Sequence, residues 1–263
     1  MTRRDVSVAG HFGEWLQGRN GPDGEVVLVT VACEAVEVST SWSEGEQQII
    51  HAPKVLADFA EALGLIDEWP GLLRTIVPGR GAGASTATLV ALAKAHGVPL
   101  DAGKLAGACV AAEGASDPLM YPEPDHMLCA SRRGVVVRDF GVPPRATIVG
   151  GFLGQPQRTD PTDCDFPDVA DLVAAWARAI DRRQLDEVAE IATTSASRLV
   201  AAKGVSEPMD DLVKSLGALG HLRAHTGSAR GLIFPPGAPP KHTVAAATEA
   251  GLCEAFVFET GQP

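Results

Sequence analysis

The sequence predicts an α+β or α/β chain of two domains, and three observations carry that reading. Strand-like and helix-like segments interleave through both halves, a glycine-rich turn over residues 78–86 joins a strand to a helix, and the Pro143-Pro144 pair marks a boundary between the halves. At 263 residues the chain suffices for one large domain or two modest ones, and its 45% hydrophobic share can fill a core.

Val26 to Val31 is an apolar run broken only by the β-branched Thr30, and Ala35 to Thr40 alternates Val36 and Val38 with Glu37 and Ser39, so both segments read as strands. Lys54 to Leu63 carries apolar residues at helical spacing and ends at Gly64, a C-cap residue. Leu72 to Val77 reads as a short strand entering the glycine-rich turn, followed by helices over Ser85 to His96 and Asp101 to Glu113. Val135 to Val137 and Ala146 to Val149 read as strands on either side of the proline pair. Gln155 to Pro167, polar and proline-bearing, reads as a loop over a binding face. Asp168 to Ile180, with Asp168 as a cap, and Leu185 to Val200 are helical by spacing and alanine content. The tail runs helix over Met209 to Leu219, strand near Leu232 to Phe234, helix over Val244 to Ala250 and strand over Ala255 to Phe258. No internal repeat or low-complexity tract interrupts this order.

The formal charge of −11, from 33 acidic and 22 basic side chains, repels phosphate backbones and anionic lipid. Nucleic acid and membranes are therefore not expected as partners. ATP remains compatible, because Mg²⁺ and clustered backbone N–H groups neutralise its phosphates at close range. Cys33, Cys109, Cys129, Cys164 and Cys253 are scattered without a C-x-x-C pair, which predicts buried free thiols in a reducing compartment. The start Met-Thr-Arg-Arg-Asp lacks the apolar core of a signal peptide, and no apolar run reaches the ~20 residues of a membrane span, so the expected location is the cytoplasm.

The turn Pro78-Gly79-Arg80-Gly81-Ala82-Gly83-Ala84-Ser85-Thr86 has almost no side-chain bulk at its centre, so its N–H groups can approach a ligand closely. The helix behind it offers an N-terminus to an anion, and Ser85 and Thr86 add hydroxyls suited to a phosphate or Mg²⁺. A plain tight turn needs fewer glycines. Gly79-x-Gly81-x-x-Ala84 also satisfies the dinucleotide fingerprint, but Asp101 follows Val98-Pro99-Leu100, too short and proline-broken for the second strand of that motif. A Walker A loop fails because no Lys-Ser/Thr pair follows the last glycine. His221 and His225, spaced for one helix face, lack the glutamate of H-E-x-x-H, so zinc is not expected. The four tryptophans, Trp15, Trp42, Trp69 and Trp176, are too dispersed for a stacking platform and read as core.

These residues resemble the GHMP superfamily of small-molecule kinases. The family's central motif, approximately P-x-x-G-x-G-x-x-S-S/T, is similar to Pro78 through Thr86. Gly10-His11-Phe12-Gly13-Glu14-Trp15-Leu16-Gln17-Gly18 resembles the G-x-x-G-E-L-x-Q-G opening of the L-threonine kinases of cobalamin synthesis and salvage. Ala224 through Phe234 resembles the A-H-S-G-T-x-x-G-L-L-F stretch of the same branch. The resemblance implies an N-terminal nucleotide-binding α+β domain over 1–143, a ferredoxin-like domain over 144–263, and a site between them. It implies ATP and Mg²⁺, phosphate contacts from Pro78, Gly79, Arg80, Gly81, Ala82, Gly83, Ala84, Ser85 and Thr86, and acceptor contacts from Glu14, Gln17, His225, Thr226 and Gly227.

Phosphoryl transfer requires alignment, charge neutralisation and a destination for the hydroxyl proton. Glu113 and Asp117 stand where the second helix yields to Gly114-Ala115-Ser116-Asp117-Pro118, and Pro118 pushes Asp117 out of helical conformation. By resemblance to an E-x-x-D segment, here one residue longer, Glu113 with Ser85 would hold Mg²⁺ and Asp117 would serve as base or substrate anchor. The bland alternative is an acidic helix end in solvent; Arg80 is likewise open between a phosphate contact and a solvated loop residue. The expected activity is transfer of the ATP γ-phosphate to a small metabolite hydroxyl, with L-threonine giving O-phospho-L-threonine. Two alternatives stay open: an inactive nucleotide-binding protein of the same fold, and an NAD-dependent oxidoreductase. The sequence leaves a homodimer open.

Overall fold

The computed structural model describes residues 3–43, 50–237 and 239–261; Met1 and Thr2 of the polar N-terminus lie outside them. Two long strands, β1 (Ser7–Arg19) and β2 (Val26–Ser41), form an antiparallel pair at the centre of the molecule. β1 escapes a sequence reading because Gly10, Gly13 and Gly18 dilute its strand propensity, yet it is buried along nearly its whole length. The two strands expected over 26–31 and 35–40 are one strand, β2. The irregularity lies in the partner instead, where the register slips between Ala9, opposite Glu37, and Gly10, opposite Cys33.

Helix α1 (Pro53–Leu63) ends at Gly64 in the left-handed conformation, as its sequence predicts. β3 (Gly71–Arg74) is shorter than expected, because its pairing with β2 covers only Val38 to Ser41. Helix α2 (Ala84–Ala95) follows the glycine-rich turn, and α3 (Ala102–Glu113) begins at Asp101, whose carboxylate accepts from Lys104 N at 2.8 Å. A 3₁₀ turn at Pro124–His126 leads into β4 (Met127–Ala130), unread in the sequence, and then β5 (Val135–Asp139).

The second half comprises β6 (Ala146–Leu153), α4 (Ala170–Arg182), α5 (Leu185–Lys203), α6 (Met209–Leu216), β7 (Gly220–Arg223), β8 (Ala229–Phe234), α7 (Thr243–Glu249) and β9 (Leu252–Thr260). The helix expected to run to Leu219 stops at Gly217 in the left-handed region, and the chain turns into β7. His221 therefore lies on a strand and His225 beyond it, not on one helix face. Asp168 does not occupy the cap position, which is Val169, but its Oδ1 accepts from Ala170 N at 2.9 Å and ties Gly21 N at 3.0 Å.

One sheet runs in the order β5-β4-β2-β1-β7-β8-β6-β9, with β3 beside β2, and every pairing between these strands is antiparallel. The segment order β7-β8-β6-β9 is the ferredoxin-like arrangement expected of the second half. An all-antiparallel sheet rules out the doubly wound parallel sheet that the dinucleotide reading requires. Strands from the two halves meet at β1 and β7, where Glu14 faces Arg223. The core continues across this join: Phe12 meets Phe152, Phe256 and Phe258 with centroids 5.2–5.5 Å apart, and Trp15 packs on Trp176 at 6.0 Å. Cys33, Cys109 and Cys129 are buried as expected, whereas Cys164 and Cys253 are exposed.

Candidate active site

A cavity of about 280 Å³ opens at the join between the halves. Its walls come from β1, the glycine-rich turn, the first turn of α2, the end of α3, the exit of β4, the 155–167 loop and the β7–β8 turn.

The glycine-rich turn is held from behind by its carbonyls. Gly79 O accepts from Gln157 N at 2.7 Å, Arg80 O from Ser228 N and Ala229 N at 3.1 and 2.8 Å, Gly81 O from Gly13 N at 3.1 Å, and Ala82 O from His11 N at 3.3 Å. This docking is so close that a Cβ on Gly10 would overlap the Ala82 carbonyl, and one on Gly81, at φ 75°, would overlap Ala224. With the carbonyls engaged outward, α2 begins at the cavity from Gly83, with no side-chain cap and no acidic residue in its first turn. Unpaired N–H groups and the positive end of the helix dipole thus face the cavity, which is the physical basis of anion binding.

Pro78, Gly79, Gly81, Ala82, Gly83, Ala84, Ser85, Thr86, Glu113, Asp117, Glu14, His225 and Thr226 all line this cavity. Arg80 does not. Its carbonyl is pinned to β8 and its side chain turns to the far side, where Nη1 pairs with Glu254 Oε2 at 2.6 Å and the guanidinium lies 4.5 Å over the Phe152 ring. Gln17 is also turned away, buried, with Nε2 donating to Arg223 O at 2.9 Å. Gly227, at φ 93°, packs against Arg80 and Gly81 and serves the loop rather than the cavity wall.

Glu113 is no solvated helix end: its side chain is 13% exposed. Its Oε1 accepts a hydrogen bond from Ser85 Oγ and lies 2.6 Å from His51 Nε2, while its Oε2 accepts from Thr86 Oγ1 at 3.3 Å. Asp117 sits beside it. His11 Nε2 is 3.3 Å from Asp117 Oδ2, and Asp117 N donates to Thr86 Oγ1 at 3.4 Å. Burial alone would raise the Asp117 carboxyl, but the His11 charge and hydrogen bond hold it below its ordinary value. His11 is pushed up to about 9; burial opposes this, and the Asp117 carboxylate, assisted by Glu14 and the Gly13 carbonyl, outweighs it.

Glu14 lies 3.8 Å from His11 and accepts from the backbone N–H of His225. Burial raises its carboxyl to about 8, against the pull of His11. At neutral pH the cluster therefore holds an ionised Asp117 and a protonated His11, beside a Glu14 whose proton is held well above the usual carboxylate range. Burial and the Arg132 charge depress His225 to about 3, which leaves a neutral imidazole stacked 4.0 Å from the Phe166 ring.

Several lining residues were given no role from the sequence: His11, His51, Ser131, Arg132, Arg158 and Thr159. Thr159 pairs with Thr226 at 2.6 Å, so the 155–167 loop does cross the site as expected. Among the described residues no three His, Cys, Asp or Glu side chains gather as a metal cage. Ser85 and Glu113 instead offer two adjacent hard oxygens, a set that suits Mg²⁺ sharing its remaining positions with phosphates and water. No helix among the described residues is long and apolar enough to cross a membrane.

No protein-family model matches the chain, and no curated protein matches its sequence. Solved structures do match in fold. Mevalonate kinase from methicillin-resistant Staphylococcus aureus shares 17% identity over 99% of this chain and 100% of its own, with a TM-score of 0.61. L. major mevalonate kinase, solved with R-mevalonate, shares 15% identity over 100% of this chain and 97% of its own, with a TM-score of 0.60. The phosphomevalonate kinase of Streptococcus pneumoniae shares 11% identity over 98% of this chain and 99% of its own, with a TM-score of 0.64. At such identities the likeness establishes architecture: the chain has the fold of the GHMP small-molecule kinases.

Proposed function

We propose that the chain is an ATP- and Mg²⁺-dependent kinase that transfers the γ-phosphate to the hydroxyl of a small metabolite, with residues 1–143 holding the nucleotide and 144–263 completing the site. One observation carries this reading: the uncapped N-terminus of α2 and the ionised Asp117 open into the same cavity. The β- and γ-phosphates would lie on the N–H groups of residues 84–86, with Arg158 on the adjacent loop supplying the cation that Arg80 does not. Mg²⁺ held by Ser85 and Glu113 would neutralise charge on the phosphates, and His51 fixes the Glu113 carboxylate for that task.

In the transfer, the acceptor oxygen forms a bond to the γ-phosphorus as the bond to the β,γ-bridging oxygen breaks, and ADP leaves. Asp117 accepts the hydrogen bond of the acceptor hydroxyl and orients it in line. Because His11 keeps this carboxylate weakly basic, its chief contribution is alignment, and it takes the proton only as the bond to phosphorus forms. Within this reading L-threonine is the favoured acceptor, giving O-phospho-L-threonine for cobalamin synthesis; the Gly10 to Gly18 motif supports it. An inactive nucleotide-binding protein is disfavoured because Glu113, Asp117 and the helix terminus all share one cavity. A cytoplasmic setting belongs to the same proposal, supported by cysteines that are all free, as in a reducing compartment. ADP release measured over threonine, serine, homoserine and unrelated alcohols tests the proposal. Acceptor-dependent release supports it; ATP binding without release under any acceptor returns the inactive reading.

A further inference from the structure

One side of the cavity has polar groups that the phosphate site does not use. Ser131 Oγ, Arg132 Nε and Nη1, and both ring nitrogens of His225 are buried with no hydrogen-bond partner among the described residues. Ser131 and His225 are 4% and 8% exposed, and all three residues line the cavity. Their position is fixed. Ser131 O accepts from Ser116 N at 2.9 Å, which sets the β4 exit beside Asp117, and Arg132 Nη2 donates to Asp160 O and Asp163 O at 3.1 and 3.4 Å. Phe166 stacks on His225 and holds its ring.

An unpartnered buried donor loses a hydrogen bond's worth of stability, and a buried guanidinium loses more, so such a set is retained where a ligand completes it. The nearby acidic side chains do not complete it: Asp163 pairs with Lys203 at 2.9 Å, and Asp117 pairs with His11. Donors in the set come with a single positive charge, since His225 is neutral, and this matches a monoanion better than a phosphomonoester. Nucleotide phosphates have their own place at the α2 terminus. We infer that Arg132, with Ser131 and His225, receives the carboxylate of the acceptor, so that the substrate class is the small hydroxy acids, with the hydroxyl directed to Asp117. The inference rests on the kinase reading for the role of that hydroxyl.

The test is calorimetric titration of the full chain with L-threonine, L-homoserine, D-glycerate and (R)-mevalonate, each against its amide, in wild type, Arg132→Met and Arg132→Lys. At least one acid binds wild type, its amide binds about 10- to 100-fold more weakly, Arg132→Met loses a similar factor for the acid only, and Arg132→Lys recovers part. Wild type that binds none of the acids, or binds an acid and its amide equally, overturns the inference; that comparison decides it even if Arg132→Met fails to fold. Loss of ATP affinity in Arg132→Met with acid affinity intact also overturns it, by assigning the guanidinium to the nucleotide. Titration of wild type with Mg·ATP reads the kinase proposal separately: acid binding with no ATP binding refutes that proposal and leaves the carboxylate subsite standing.

Discussion

Replacing Asp117 by Asn keeps the side chain's size and removes the charge that holds His11 protonated. The rise of His11 from 6.5 to about 9 corresponds to about 3 kcal/mol, at about 1.36 kcal/mol per tenfold change in a proton equilibrium. Burial acts in the opposite direction, and the remaining partners are Glu14, 3.8 Å away, and the Gly13 carbonyl. In Asp117→Asn, His11 should therefore titrate well below about 9, which NMR of the imidazole resonances reads directly. The acceptor hydroxyl also loses its anionic hydrogen-bond partner. Turnover should fall by about 10²–10⁴-fold, measured as ADP release with the best acceptor, while ATP affinity holds. An unmoved His11 titration would show that the two side chains are not coupled as the 3.3 Å contact implies. Retention of more than about a tenth of the wild-type turnover would show that Asp117 is at most a substrate anchor.

Gly81→Val should abolish ATP binding while circular dichroism stays native, because the new side chain must move the turn off Ala224; unchanged ATP affinity would remove the turn from the site. Glu113→Gln should raise the Mg²⁺ concentration needed for half-maximal activity, and a dependence overlaying wild type would refute its role as a metal ligand. Between pH 6.5 and about 9 thermal stability should fall as pH rises. The His11 contribution is complete below 6.5 and lost through about 9, and Glu14, which the fold keeps protonated to about 8 while the unfolded chain releases its proton near 4.5, acts in the same direction. Glu14→Gln should flatten the lower part of that decline, and a melting temperature that climbs from pH 6.5 to 9 would contradict the assignment of both protons.

What the sequence showed of the site followed from chemistry that is local in the chain. Gly79, Gly81 and Gly83 before the Ser85-Thr86 pair, and Asp117 before Pro118, declare backbone conformation and donor chemistry within a few residues, so the turn and the carboxylates were legible. Side-chain direction was not. Arg80 faces away because its partner, Glu254, lies 174 residues onward, and no local pattern records that. His51 meets Glu113 across 62 positions, and nothing around it marks a functional residue. His11 stands inside the Gly10 to Gly18 motif, but recognising it as the partner of Asp117 requires β1 to be seen docking on the turn. Ser131 and Arg132 follow β4, a four-residue strand whose pairing with β2 and β5, not its propensity, makes it a strand. The helices were the most legible elements, since Gly64, Gly204 and Gly217 end three of them in the left-handed region.

The central claim is that the α2 terminus seats the β- and γ-phosphates facing Asp117, and the measurement that tests it most directly is a crystal structure with Mg²⁺ and a non-hydrolysable ATP analogue. The γ-phosphate should lie within hydrogen-bond distance of the N–H groups of residues 84–86, with the metal on Ser85 and Glu113 and the phosphorus open to the Asp117 side of the cavity. A nucleotide bound elsewhere, or one whose γ-phosphate points away from Asp117, would contradict it.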